Sequence, residues 1–537
     1  MVKKISLIKV IILFCFLPEI NAQDLSGVGE LFCRVLSADS EFPVYYATIK
    51  ISGTNRGLIA DEEGEFRLPN NIGVSEKIKL SSIGYKTKEI TVKELKTDQI
   101  NIIYLESNIE DLDAVTVVSS SKPKKQERRF SAKQIVLKAL SSISLNYPEK
   151  PFSYIGYYRD YQQPIDDSYE YISKRHKNST QYINLNESII EVFDAGFGTD
   201  YLTNNQNQTV VYSYNQNKTF AQDDMLAVPY DNKNKKYLKN VFIPPFGGNE
   251  LNVLNITNAI RNHDRTSFSF IDVLDDNFIK NHFFSIEGIS YLDDIPIYEI
   301  NFVTEERASG KSHSGKGKIF ISKENFAIHK LHYELYGQNK KAPLYEATIE
   351  YVPIKGKMYL NYITFNNKFQ AGSDHYFKIM ATDLDTDDMF FDVYFNNVLD
   401  KNTLYPIHKK FKVVYTYKEE KVKIKQVIAL DDRIRVVLDK EQLFSLPNFK
   451  LDNLSEVLRL KIRNVKDTDG KVLHEIPKVI LNQYREVFIQ EVFLGKKLEG
   501  DMRLMNKNSP LSEAAINPFK DKDKYWVNTP LKRIKKH

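Results

Sequence analysis

Cysteine is nearly absent from these 537 residues, which hold only Cys15 and Cys33, and tryptophan occurs once, as Trp526. Cys15 falls within an apolar N-terminal stretch expected to be removed. A single thiol then remains, so neither an intramolecular disulfide nor a cysteine-based metal cluster can form. Stability has to come from packing, and Cys33, near Phe32 and Val35 on a strand pattern, reads as a buried small hydrophobe. Beyond residue 22 there is no apolar run approaching the ~18 residues that cross a bilayer as a helix, so no transmembrane segment is expected in the mature chain. Charge of one sign is also scarce. The formal net charge is +5, and removing Lys3, Lys4, Lys9 and Glu19 lowers it to about +3, too little to imply nucleic acid. The basic tail Leu531-Lys532-Arg533-Ile534-Lys535-Lys536-His537 could touch anionic headgroups or a partner's acidic face, but a solvated terminus explains it as well.

The first 22 residues show the three parts of an export signal. Lys3, Lys4 and Lys9 supply positive charge, residues 10–17 the apolar stretch, and Ile20-Asn21-Ala22 a small residue before the expected cut. A transmembrane anchor needs a longer apolar segment, and a lipid-modified cysteine normally follows a small residue, whereas Cys15 follows Phe14. The chain is therefore expected to be exported, and soluble or peripherally held. At 42% hydrophobic and 27% charged residues the balance is that of a globular protein, and the length predicts two or three domains.

Between residues 30 and 118 short alternating runs are punctuated by turns. Ala47, Ile49 and Ile51 face one way and Thr48 and Lys50 the other, the period of a half-buried strand. Ser52-Gly53-Thr54-Asn55 breaks that run, Asp61-Glu62-Glu63-Gly64 marks a tight turn before Phe66 and Leu68, and Gly84-Tyr85 opens another. The run Val44-Tyr45-Tyr46-Ala47-Thr48-Ile49-Lys50-Ile51, then Gly57, Ile59-Ala60-Asp61-Glu62-Glu63-Gly64-Glu65-Phe66 and Leu80-Ser81-Ser82-Ile83-Gly84-Tyr85 resembles the carboxypeptidase-regulatory-like domain of Bacteroidota envelope proteins. The resemblance covers about a sixth of the chain, the size of one small domain. It implies a non-catalytic, seven-stranded, transthyretin-like (prealbumin-like) β-sandwich over 24–118, of the kind found before outer-membrane transporters, and an exported chain in the periplasm, at the outer membrane or on the cell surface.

Residues 119–130 are polar and basic, without apolar periodicity, and read as a linker. Ser131 then caps a helix, with Gln134 three residues on and Ile135, Ala139, Leu140 and Ile143 along one face. Hairpins are predicted either side of Asp293-Asp294 and of Lys355-Gly356-Lys357, within an antiparallel β-rich domain spanning 131–430. The helix from Ser131 and a weaker one over 251–260 would cover one side of that sheet, leaving it curved around an apolar interior that could take a lipid or peptide ligand but reads first as a filled core. The Asn/Gln tract over 204–217 reads as a loop. Over 431–537 a helical or mixed α/β region is expected, because Ile480, Leu481, Tyr484, Val487 and Phe488 fall at helical spacing after Pro477. The predicted fold class is thus mainly β.

Motifs that carry chemistry are the last scarcity. Gly310 to Lys316 nearly spells a phosphate loop, but Gly317 stands where a Ser or Thr must reach magnesium, and a strand follows. Asp383, Asp385 and Asp387 alternate as calcium ligands do, yet Asp388 and Tyr394 occupy the places that need glycine and glutamate, so a solvated acidic turn is the default. His329 and His332 lie an odd number apart on a strand and point to opposite faces. His474-Glu475 lacks the second histidine of a zinc peptidase, and Ser373-Asp374-His375 cannot align as a triad. Tyr525 and Trp526 could stack on a sugar or anchor a partner, against an ordinary packed role. No cofactor is expected. The leading expectation is a non-enzymatic accessory protein engaging an outer-membrane complex in transport or assembly. A carbohydrate- or lipid-binding module with a concave groove is the alternative, and a hydrolase with paired carboxylates the third.

Overall fold

The computed structural model describes residues 30–110, 130–164, 182–197, 207–223, 240–241, 250–263, 276–305, 314–337, 342–372 and 376–531, less short gaps at 70–71, 98, 417–418, 431, 448, 450–452, 477 and 507–508. The expected export signal, residues 111–129, which include most of the linker, and the tail beyond Leu531 lie outside the described residues.

Alternation builds the N-terminal module. β1 (Leu31–Ser37) buries Leu31, Cys33 and Val35 and turns Phe32, Arg34 and Leu36 outward. β2 (Thr48–Ile51), β3 (Gly57–Ile59), β4 (Glu65–Leu68), β5 (Lys77–Ser81), β6 (Lys88–Thr91) and β7 (Ile100–Leu105) follow. Among the described residues these make a three-stranded sheet, β4-β1-β7, and a four-stranded sheet, β3-β2-β5-β6. Both contribute to one core that includes Cys33, Ile49, Phe66, Ile78 and Leu80. Cys33 is fully buried there, and burial pushes its thiol up to about 12. In the tight turn, the Asp61 carboxylate accepts the backbone N–H of Glu63 (3.0 Å) and Glu65 (2.9 Å). Gly64 has φ +71°, and a Cβ there would sit 2.4 Å from the Val35 carbonyl oxygen, so the turn needs glycine.

β8 (Ile109–Glu110) leaves the module and pairs onto the edge of a much larger sheet. α1 (Ala132–Ser141) starts at a capping box in which the Ser131 side chain accepts from the Gln134 N–H and Gln134 returns the bond. The strands of the large sheet come next: β9 (Phe152–Pro164), β10 (Ile183–Asp194), β11 (Gln208–Gln216), β12 (Asn240–Val241), β13 (His282–Leu292), β14 (Ile295–Thr304), β15 (Ser314–Ser322), β16 (Ile328–Tyr336), β17 (Tyr345–Ile354) and β18 (Lys357–Gly372). Between β10 and β14 come α2 (Glu250–Thr257) and α3 (Asp276–Asn281). The hairpins β13–β14 and β17–β18 turn at Asp293 (φ 52°) and at Lys355 and Gly356 (φ 48° and 82°).

Residues 376–473 fold as a separate β unit. β19 (Ile379–Asp385), β20 (Phe390–Phe395), β21 (Phe411–Tyr415), β22 (Glu420–Val422), β23 (Ile424–Ala429), β24 (Arg433–Leu438) and β25 (Leu458–Ile462) form the sheets β19-β20-β24-β23 and β22-β21-β25. They enclose their own core, with Phe391, Val413, Val436 and Leu458 among its members. The chain then returns as β26 (Lys478–Leu494) and enters the large sheet between β9 and β18. Among the described residues that sheet has twelve strands, in the order β11-β10-β9-β26-β18-β17-β16-β15-β14-β13-β8, with β12 beside β18.

Three expectations are corrected here. Residues 431–537 are not helical in the main: the segment with helical spacing is the 17-residue strand β26, and the helices Lys440–Phe444 and Leu454–Val457 span five and four residues. A boundary at 430 would separate β23 from β24, which pair in one sheet. The Asn/Gln tract is largely strand β11, paired to β10. All three segments owe their form to tertiary pairing that local composition does not reveal.

Candidate functional site

The large sheet has one face packed under α1, α2 and α3, with Ile135, Val136, Leu254, Phe278, Ile319 and Ile363 in a common core. The cavity left there, beside Phe152, Tyr154 and Arg261, is about 60 Å³, room for a few waters but not for an acyl chain. Inside it Arg261 is paired with Asp194 at 2.9 Å, with both side chains buried. Among the described residues the core on this side is packed around that small cavity.

The opposite face receives the N-terminal module. Tyr46 stacks toward Tyr362 with ring centroids 4.7 Å apart, and the Asn361 amide donates to Thr48 Oγ1 at 2.8 Å. The module's tight turn is set against a fully buried ion pair, Arg159 with Glu486, and Asp61 lies 3.9 Å from the same guanidinium. Tyr161 donates to Glu62 at 3.3 Å. One cation thus faces several carboxyls. Burial, then the Glu486 charge, pushes the Glu62 carboxyl up to about 7, with Arg159 opposing. Burial also raises Glu486, and burial followed by the Asp61 charge brings Glu65 to about 7. At the hairpin tip Asp293 accepts from Thr87 at 2.5 Å and pairs with Lys79 at 3.2 Å. The seam is therefore fixed at several points.

Beside the seam runs an open groove of about 630 Å³. Its floor comes from β9, β10, β11 and β26, one end from Arg56 of the module, and its wall from the chain after β26. That last segment is strapped to β11 by the Met505 N–H to the Thr209 carbonyl (2.9 Å) and the Asn517 N–H to the Val211 carbonyl (2.8 Å). Glu191, wholly buried, accepts from Ser153 Oγ (2.6 Å), Tyr212 OH (2.6 Å) and Lys496 Nζ (2.7 Å). Glu491 accepts from Tyr525 OH at 2.5 Å. The rings of Tyr212, Phe519 and Tyr525 form a ladder, with centroids 4.0 and 5.4 Å apart.

A third surface is the outward side of β1 and β7. Phe32, Arg34 and Leu36 lie in register with Ile100, Ile102 and Tyr104. The last three are 46%, 45% and 42% exposed, an apolar strip facing solvent.

The residues singled out in the sequence scatter. Tyr525 is buried in the groove wall, and Trp526 is half-buried, its indole N–H donating to the Arg67 carbonyl at 3.2 Å. Both join the C-terminal strap to the rest of the chain. Asp383 is exposed on β19, and Asp385 accepts the backbone N–H of Asp387 (3.0 Å) and Asp388 (2.7 Å), closing a turn. Among the described residues no three His, Cys, Asp or Glu side chains are grouped to hold a metal ion. His329 is buried, while His332 lies half-buried beside Glu334 and Thr348. Residues 310–313 and 373–375 lie outside the described residues, and Ser314 to Lys316 open β15. Sequence reasoning missed Glu191, Glu491 and Phe519, which stand on three separate segments with no shared motif.

Residues 33–117 match the family model of the CarboxypepD_reg-like domain, which takes in every buried residue of the N-terminal core except Leu31. No curated protein matches the chain. Among solved structures it is similar to a LolA superfamily protein from Nitrosomonas europaea, at 13% identity over 44% of this chain and 86% of that one, with a TM-score of 0.17. It is also similar to a DUF1329 family protein from Desulfovibrio piger, at 9% identity over 44% and 87% of the two chains, with a TM-score of 0.19. None of the described helices is long and apolar enough to cross a membrane.

Proposed function

We propose that this chain is a non-enzymatic accessory protein of the cell envelope, whose N-terminal module docks onto an outer-membrane protein complex of transport or assembly. The observation that carries the reading is the exposed strip of Ile100, Ile102 and Tyr104 beside Phe32 and Leu36. Three large apolar side chains in a row along an exposed strand, interrupted on the neighbouring strand only by Arg34, are a surface that a partner can cover. The absence of catalysis is part of the proposal. The carboxyls pushed upward lie in the closed seam, and Glu191 and Glu491 in the groove are each engaged by neighbouring donors.

A mild-detergent pull-down of the tagged full chain from membranes of its own source tests this, run beside an Ile102→Ser/Tyr104→Ser variant. A stoichiometric membrane protein with the wild type, lost with the variant, is expected. A chain that comes down alone sinks the reading. Truncation from Leu451 would not serve for mapping, because it removes β26 from the middle of the sheet.

The groove favours a second reading, a ligand-binding module. Its mixed polar and aromatic lining suits a saccharide better than a lipid.

A further inference from the structure

The groove at the seam has a composition that selects among ligands, and we infer that it is a binding site for a neutral oligosaccharide. The inference rests on the ligand-binding reading and is independent of the apolar strip on β1 and β7.

Size comes first. At about 630 Å³ the groove falls within the range of small-molecule sites, roughly 300–1,000 Å³. Charge comes second. Four carboxylates line it, Glu191, Glu491, Glu499 and Asp521, against four basic side chains that include Arg56 and Lys496. With the two signs balanced, a phosphate, a nucleic acid or a polyanion gains no net attraction. A lipid tail would have to desolvate those same charges for nothing in return.

What remains is a ligand with apolar faces and many hydroxyls. A sugar ring presents C–H faces that pack on aromatic carbon, and each hydroxyl both donates and accepts. The groove supplies both complements: the half-buried apolar side chains of Tyr212, Phe493, Met502 and Phe519 for the faces, and the exposed carboxylates and ammonium groups of Glu499, Asp521, Lys520 and Lys524 for the hydroxyls. The floor beneath them is already fixed: the buried Glu191 is held by three donors and Glu491 by Tyr525, so little side-chain freedom is lost there on binding.

Calorimetry on the full chain tests this with neutral maltotetraose, cellotetraose and chitotetraose, an acidic heparin tetrasaccharide, and anionic phospholipid vesicles. Binding is expected for at least one neutral sugar. It should weaken at least about tenfold in Phe519→Ala, which removes the middle ring, and in Met502→Trp, which fills the groove. Both variants are checked for unchanged circular dichroism and melting, and the sole Trp526, next to Tyr525, gives a fluorescence readout in the wild type. Neutral binding that neither variant weakens overturns the site. Binding of only the acidic sugar overturns the neutral class, and binding of only the vesicles overturns the saccharide class; either, blocked by both variants, leaves the ligand-binding reading. No binding by any probe at millimolar concentration overturns both.

Discussion

Arg159 and Glu486 stand directly opposite each other on β9 and β26, both side chains fully buried, at the point where the N-terminal module's acidic turn meets the sheet. The guanidinium also lies 5.2 Å from the Phe488 ring and 5.5 Å from that of Tyr161. Removing it leaves Glu486 buried without its cation, beside Asp61 and Glu62. Arg159→Met is expected to cost about 3–5 kcal/mol, and Arg159→Met/Glu486→Leu to recover much of that, because a buried pair is costly mainly when half of it is lost. Urea unfolding of the two variants and the wild type measures the difference.

The same cluster sets a pH dependence. Glu62 and Glu65 both titrate near 7 in the fold, against about 4.5 when unfolded. A carboxyl raised in this way keeps its proton longer in the folded state. Its contribution is full below pH 4.5 and is lost as pH rises toward 7, with no further change above. His329 runs the other way: burial lowers it to about 4, so stability falls as pH drops from 6.5 toward 4. Melting curves should therefore show Glu62→Gln and Glu65→Gln raising stability at pH 8 by about 1 kcal/mol each, with little change at pH 4.5. His329→Leu should flatten the acid limb alone. An unchanged profile in Glu62→Gln would refute the assignment.

The alternation that runs through the N-terminal module was legible because its strands have one buried face, as in Leu31, Cys33 and Val35. α1 was legible from its capping pair, and the hairpins from their turn residues. β26 was not. It is buried on both faces, and one of those faces carries Glu486 beside Tyr484 and Phe488, because the module covers it. The polar seam hides the period of two, and the apolar residues left over fall at helical spacing. The groove was illegible for a simpler reason: its walls come from segments more than 300 residues apart, such as Glu191 and Lys496.

Gly317, which spoils the phosphate-loop pattern, has a structural task. A Cβ there would lie 2.1 Å from the His332 carbonyl oxygen and 2.5 Å from the Phe302 ring, between β14 and β16. Gly317→Ala is expected to destabilise by about 1–3 kcal/mol through overpacking. Thermal melting checks it, and an unaltered melting temperature would mean that the strands separate freely at this point.

The C-terminal strap ties the module to the sheet. Trp526 packs against the module core, and its indole N–H reaches the Arg67 carbonyl, while its backbone N–H and C=O engage Gln490 of β26. Arg67 in turn donates its backbone N–H to Asn528 (2.9 Å) and its Nε to the Thr529 carbonyl (2.6 Å). Trp526→Ala removes the side chain at the centre of this contact. The loss should be about 2 kcal/mol, less than for a fully buried tryptophan because this one is half-buried. The strap's N–H bonds to Thr209 and Val211 lie upstream and should survive, so the chain should be cut preferentially after Asp521 under limited proteolysis while the large sheet resists. Mass spectrometry of the fragments reads the site directly. A variant cut no faster than the wild type would show that Arg67 and Asn528 hold the strap without the ring.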